Sequence, residues 1–366
     1  FPRCRLDPNP VTLSRDLRMP FAITALLFST LACRAATRLI IPDTPTPQPT
    51  STSTPTLLPT STITLPPTLT PTFEYTASCP LILDTIIADS AGFDENFYRD
   101  ETTADEEVAY LVHYTVVDDE LKTPLFEDVP DKLEKEQEDR AAHEDIWKLF
   151  MRLIPAEERE IVSGFGIFTD GKYNYLAAVS QAEKNPYKWE LNVDIADSTQ
   201  KTVLTFTLLH EFGHLLTLNR NQVEVSVPIY HNPYSDDVYQ QEVDACSQYF
   251  PGEGCSNPDS YINQFFERFW TELYTEWQVI DKEDDKDTRY NLLDDFYDTY
   301  QDQFLTDYAP TSPAEDIAES WTFFILAPKP ELNSIANEKI LFFYEYPELT
   351  QLRAQILDRI CVEFQE

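Results

Sequence analysis

The stretch Leu208-Leu209-His210-Glu211-Phe212-Gly213-His214-Leu215-Leu216 sets two histidines four residues apart, with a glutamate directly after the first, inside an apolar run. Residues four apart on a helix are stacked neighbours, so His210 and His214 can offer imidazole nitrogens to one Zn²⁺ while Glu211 reaches a water beside it. The plain alternative is a surface helix with this spacing by chance. Composition weakens that alternative: of five histidines in the chain (His113, His143, His210, His214 and His231), two fall at ligand spacing around a Glu. Asp197, Ser198 and Thr199 offer N-caps, and Val203, Leu204, Phe206, Leu208 and Leu209 make the first turns apolar nearly all round, the pattern of a buried helix. Imidazoles and a carboxylate buried in such a helix need partners, and a metal ion supplies them.

At 366 residues the chain has room for two domains, but a change of composition near residue 78 points to one domain with an extended leader. Arg15 and Arg18 precede Met19, and an apolar run follows to Ala32, the charged start and apolar middle of a signal peptide, too short for a spanning helix. Residues 1–18 then read as an upstream extension and residues 19–36 as a signal peptide or lipoprotein signal. Cys33, directly after Leu31-Ala32, is similar to the lipobox of bacterial lipoproteins, whose cysteine is lipidated. Thr30 stands where that box usually has Leu, so ordinary cleavage after Ala35 or Ala36 is the alternative. From Pro42 to Thr72 the chain is almost entirely Pro, Thr, Ser and Leu. Such a run packs no core and favours extended conformations of about 3.1 Å per residue, so residues 37–78 read as a disordered stalk, a candidate for O-glycosylation.

Beyond Cys4 and Cys33, four cysteines remain. An even number in an exported chain suggests disulfides. Of three possible pairings, Cys246 with Cys255 closes a short Pro-Gly-containing loop and Cys79 with Cys361 ties the ends of the domain, and these two are favoured. A second metal site is the lesser reading, since no two of these cysteines have zinc-knuckle spacing. The formal charge of -37 lies almost wholly in the exported part and disfavours a nucleic-acid partner. A solubilised extracellular surface accounts for it more simply than a preference for cationic substrates. Any membrane association is expected through the N-terminal anchor alone, and the domain is expected to be monomeric.

Val108 to Val117 reads as a strand, followed by a charged helix from about Pro130 to Leu153 with Ala142, Ile146, Leu149, Phe150 and Leu153 on one face. Ile161 to Phe168, the turn Asp170-Gly171, and Tyr173 to Val179 suggest a hairpin, and Trp189 to Ile195 a further strand. Helices are expected at Tyr261 to Ile280, Asn291 to Tyr308, Pro313 to Leu326 and Pro347 to Cys361. Pro228 to Asp259 reads as a long loop stapled by its disulfide, and Asp281 to Asp287 as a solvated loop, with a Ca²⁺ site the lesser reading. Strands and a helix, then the metal helix, then helices alone, make an α+β domain over residues 79–366.

Two histidines leave a catalytic zinc one protein ligand short. A His-ended extension of the motif fails, because Thr217 and Arg220 occupy its Gly and His positions; the short-range Glu position is Pro233; and no glycine is followed by Thr. A Glu on a later helix remains, ideally with a second carboxylate four residues on to orient a ligand histidine. Glu272 with Glu276 and Glu315 with Glu319 both fit. The first pair flanks an amphipathic stripe and reads as a solvated edge. The second opens a helix that turns fully apolar at Trp321 to Leu326. Ser312-Pro313-Ala314-Glu315 is also a capping box. A cap does not explain the like charge of Glu319 stacked beside Glu315, which is costly when buried unless cations intervene.

His210-Glu-Phe-Gly-His214, followed at a distance by Tyr308-Ala-Pro-Thr-Ser-Pro-Ala-Glu315-Asp-Ile-Ala-Glu319, resembles the gluzincins, in the branch that includes the anthrax lethal factor peptidase domain and related uncharacterised bacterial secreted zinc peptidases. The matched motifs cover two short stretches, and the order of elements is compatible with a zincin-like fold. The resemblance implies one catalytic Zn²⁺ on His210, His214 and Glu315, Glu211 as general base, Glu319 orienting a ligand imidazole, and Tyr308 as the catalytic tyrosine. Glu319 stands where many gluzincins carry Asp. The implied activity is hydrolysis of a peptide or protein substrate by an extracellular or surface-tethered enzyme, with the strand Tyr173 to Val179 either the edge that pairs with substrate or an ordinary sheet edge. The alternatives are a zincin-fold binding protein that has lost turnover, or a zinc amidase acting on a cell-wall fragment. Retention of Glu211 disfavours the first.

Overall fold

The computed structural model describes residues 79–97, 108–171 and 175–365. The segments expected as a signal (19–36) and a stalk (37–78), Cys33 and Tyr173 lie outside the described residues. A first helix, α1 (Pro80–Phe97), precedes a hairpin of β1 (Ala109–Val117) and β2 (Glu120–Phe126). The hairpin turn is the pair Asp118-Asp119, with φ of 52° and 61°, a left-handed two-residue turn built without glycine. Asp119 is held in place by Trp147 Nε1, which donates to its carbonyl at 2.8 Å, and by the Arg159 guanidinium.

The charged segment that follows is not one helix. It divides into a short 3₁₀ turn, α2 (Glu134–Glu138) and α3 (Arg140–Leu153), because Asp139 leaves helical geometry and accepts the Ala142 N–H at 3.1 Å as the cap of α3. Ile146, Leu149, Phe150 and Leu153 are buried as their spacing implies. After α4 (Ala156–Arg159) come β3 (Val162–Thr169), β4 (Ala177–Ala182) and β5 (Asn185–Asp194).

The sheet order is β2-β1-β3-β5-β4, and it corrects the expected hairpin between β3 and β4. These strands are not neighbours: β5 lies between them, parallel to β3 and antiparallel to β4. The hairpin is β4–β5, closed through Glu183-Lys184. Asp170 and Gly171 do end β3, with Gly171 at φ 94°, but the Asp170 N–H turns to the Asp194 carboxylate at 3.0 Å, at the far end of β5.

The helix carrying both motif histidines is α5 (Lys201–Leu218), buried through Leu208, Leu209, Phe212, Leu215 and most of its remaining surface. Its N-cap is Gln200, with no side-chain cap bond, so Asp197, Ser198 and Thr199 do not serve as caps. Ser198 instead donates to the Ile195 carbonyl at 2.8 Å, within the turn leaving β5.

The region expected as a loop from Pro228 to Asp259 carries regular structure: β6 (Val223–Val225), just before it, pairs with β7 (Gly254–Ser256) around α6 (Val227–His231) and α7 (Asp236–Ala245). The stripe from Tyr261 to Ile280 breaks into α8 (Tyr261–Phe269) and α9 (Tyr274–Asp281). The remainder is α10 (Lys286–Thr299), α11 (Pro313–Leu326), α12 (Ile335–Phe343) and α13 (Pro347–Glu363). Disulfides join Cys79 to Cys361 and Cys246 to Cys255, as favoured from their spacing. The molecule is α+β, with a mixed five-stranded sheet before α5 and mainly helices after it. Among the described residues no helix is long and apolar enough to cross a membrane.

α5 packs against β4, α1 and α11. Its contacts with α11 run in opposite senses: Phe206 meets Phe323 at 6.0 Å between ring centroids, and eight residues on, His214 meets Glu315. The pair is therefore antiparallel. At its middle a Cβ on Gly213 would lie 3.1 Å from Ala318 Cα and 3.1 Å from Trp321 Cδ1. Glycine here serves close approach between helix backbones. Gly213→Val should force α5 and α11 apart and cost roughly 2 kcal/mol or more by overpacking; a urea unfolding midpoint unchanged from wild type would contradict this.

Candidate metal centre

His210, Glu211 and His214 sit on α5, Glu315 and Glu319 in the first half of α11, and Tyr308 just before the 3₁₀ turn Ala309–Thr311 that leads into it. Ser312 caps α11, accepting the Glu315 N–H at 3.1 Å. The Glu315 side chain does not complete the capping box. It turns inward, 3% exposed, and its Oε2 lies 3.0 Å from His210 Nε2 and 3.2 Å from His214 Nε2. The two Nε2 atoms are 3.1 Å apart. These three atoms form a nearly equilateral triangle. Donors about 2.0–2.1 Å from a tetrahedral ion lie about 3.3–3.4 Å from one another, so the triangle is slightly tighter than a filled site of that size. Among the described residues this is the one group of three or more His, Cys, Asp and Glu side chains arranged to hold a metal ion.

Protonation sharpens the point. Glu319 Oε1 lies 2.8 Å from His210 Nδ1, the geometry in which the imidazole donates Nδ1–H and the carboxyl oxygen accepts it. Neutral His210 then points an Nε2 lone pair at the lone pairs of Glu315 and His214. Such an arrangement requires a proton or a metal ion between the three atoms. Without metal, burial disfavours the charged imidazole, but hydrogen bonds to Glu315 and Glu319 outweigh it and hold His210 well above its ordinary pKa. Burial likewise opposes ionisation of Glu315, yet His214 and His210 pull its carboxyl far below the usual carboxylate range.

Glu319 is steadied from its other oxygen by Thr306 Oγ1, which donates at 2.9 Å and itself accepts the Ala309 N–H at 3.2 Å. Glu211 is 6% exposed. Burial pushes its carboxyl up against the opposing pull of His214 and His210. The Val179 backbone amide of β4 acts on this carboxylate in the same lowering direction as the imidazoles, while Oε2 has no hydrogen-bond partner. The Tyr308 ring stands 5.8 Å from that of His210.

The structure therefore brings together His210, Glu211, His214, Tyr308, Glu315 and Glu319. Glu272 and Glu276 are exposed and outside the group, Glu276 accepting the Tyr300 hydroxyl at 2.8 Å. In the acidic run, Asp285 caps α10 by accepting the Thr288 N–H at 2.9 Å. The other histidines have separate settings: His143 bridges Tyr114 and the Glu136 carbonyl, His113 faces Glu190 at 3.2 Å, and His231 is exposed.

Three contributors escape the sequence reading. Thr306 and Val179 act through contacts that leave no local pattern. Glu253 does leave one, a Gly-Glu-Gly run inside the short disulfide loop: it is 6% exposed, and burial pushes its carboxyl up to about 7 while His214 acts in the opposite direction. No family model matches this sequence, and neither a curated protein nor a solved structure matches it.

A histidine whose folded pKa is raised contributes stability that is complete below its unfolded value and lost as pH rises through the folded one. Metal-stripped protein should therefore melt at falling temperature as pH climbs above neutrality, through the raised His210 range. His210→Ala should flatten that alkaline limb. Melts of chelator-treated protein from about pH 6 to about pH 10 read the difference, and identical limbs in both proteins would refute it.

Proposed function

We propose that this chain is a zinc-dependent peptidase of the gluzincin type, hydrolysing peptide bonds of a protein or peptide substrate outside the cell or at its surface. The observation that carries the reading is the convergence of His210, His214 and Glu315 beside Glu211. Two imidazoles and one carboxylate are the donor set of a catalytic zinc with an open position, whereas structural sites close their fourth position with another side chain. A bound zinc supplies Lewis acidity, polarising a carbonyl and acidifying a water.

The remaining roles belong to the chain. Glu211, buried and with an unpartnered Oε2, accepts a proton from the attacking water and delivers it to the leaving amine. Its raised carboxyl pKa suits a group that must both take and return a proton. The Val179 backbone amide, on the edge strand β4, faces this carboxylate. An extended peptide adding to that edge would place its backbone next to the base, which favours a peptide substrate over an isolated small amide. Tyr308 stands over His210 and offers a phenol to the oxygen that becomes negative in the transition state. The two disulfides suit an oxidising compartment.

Glu211→Gln is the decisive variant. It should retain one zinc per chain and lose about 10²–10⁴-fold in turnover of denatured protein. Full zinc content with unchanged activity would show the mechanism to be wrong.

A further inference from the structure

Glu253 is a buried carboxylate to which the proposed mechanism gives no task. Its surroundings are closely specified. Gly252 and Gly254 flank it at φ 125° and 159°, and a Cβ on Gly254 would fall 1.8 Å from the Glu224 carbonyl oxygen. The Ser226 N–H donates to the Glu253 carbonyl at 2.8 Å, β6 pairs with β7 immediately beyond it, and Cys246–Cys255 closes the loop. This constrained backbone carries inward a side chain whose Oε2 has no hydrogen-bond partner. Burying a carboxylate oxygen in that state is costly unless a donor meets it.

A complementary orphan exists. His214 Nδ1 is also buried without a hydrogen-bond partner, and His214 is the histidine whose charge acts on the Glu253 carboxyl. The two motif histidines are thus supported unequally: His210 Nδ1 is clamped by Glu319 at 2.8 Å, while His214 has no such clamp. An imidazole that ligates a metal almost always donates its other N–H to a carboxylate, a carbonyl or a water, and one that does not is poorly oriented.

We propose that Glu253 is a positioning residue for His214, accepting its Nδ1–H through one bridging water, so that the disulfide loop sets the orientation of the second imidazole. The proposal rests on the metal-centre reading above. It makes the site a product of three segments, α5, α11 and the 246–255 loop, and gives each histidine its own carboxylate.

The test compares full-length wild type, Glu253→Gln and Glu253→Ala for zinc affinity, by competition with a chromogenic chelator, and for the visible spectrum of the Co²⁺-substituted protein. Glu253→Ala should weaken zinc about 10–100-fold and alter the cobalt d–d bands. Glu253→Gln, which keeps an acceptor oxygen and the side-chain volume, should fall between alanine and wild type. A merely structural carboxylate would change melting temperature and leave the cobalt spectrum alone. Wild type that binds one zinc, with both variants within about twofold of it and spectrally identical, would overturn the role of Glu253 while leaving the metal centre intact. Wild type that binds no zinc would overturn the metal-centre reading itself.

Discussion

The close approach of α5 and α11 is the constraint on which the rest depends. Gly213 lies between the two motif histidines in sequence, and Ala318 between Glu315 and Glu319. Small residues at the crossing let the two backbones come near enough for imidazoles and carboxylates to meet without intervening side chains. Larger contacts above and below, Phe206 with Phe323 and Phe212 with Trp321 at 6.0 and 5.9 Å between ring centroids, set how the helices are staggered. The polar cluster is therefore built into an apolar helix pair, and its donors converge because the packing around them has one good register.

That placement creates an electrostatic problem. Glu315 and Glu319 are stacked like charges, each at most 4% exposed, with imidazoles as their nearby positive partners. Two carboxylates sharing one imidazolium leave net negative charge in a low-dielectric setting, where uncompensated charge is expensive. A divalent cation at the triangle resolves the imbalance better than a proton, because it satisfies three lone pairs at once and leaves His210 Nδ1–H free to serve Glu319. On the proposed reading, the strain of the metal-free arrangement and the affinity for metal have one origin.

The elements legible in the sequence were those whose pattern is local. β1, α11 and α13 follow from β-branched runs and proline-started apolar periodicity, and both disulfides from what their loops would tie together. The His-Glu-His geometry was legible because helical spacing alone stacks the two rings. What failed depended on partners or on unmarked turns. Asp118-Asp119 and Glu183-Lys184 close hairpins without a glycine, so β2 was missed and β4 was paired with the wrong strand. Asp170-Gly171 resembles a hairpin turn, yet β5 inserts between β3 and β4. The helix breaks at Asp139, whose side chain caps α3, and near Trp270, whose indole N–H turns to Asp316, interrupt an otherwise continuous periodicity. Glu315 stands out in the sequence through the cost of stacked like charges, whereas Thr306 reaches Glu319 through a contact invisible until the chain is folded.

Glu315 must also be held in rotation about the axis of α11, and the next residue accomplishes this. Asp316 is fully buried and points to another side of the helix, meeting Lys339 Nζ of α12 at 2.6 Å and Trp270 Nε1, just beyond α8, at 2.7 Å. Lys339 is itself fully buried, with its ammonium 4.0 Å from the centre of the Phe304 ring. Breaking such a pair by removing its alignment leaves an uncompensated charge and costs about 3–5 kcal/mol. Turning α11 far enough to withdraw Glu315 from the imidazoles would carry Asp316 away from Lys339, so the ion pair penalises any rotation that disassembles the triangle. A buried ion pair is a poor way to add stability, since apolar residues of the same volume do as well, but it is an effective way to specify one angular setting. The chain places this device one residue from Glu315, where angular error would matter most.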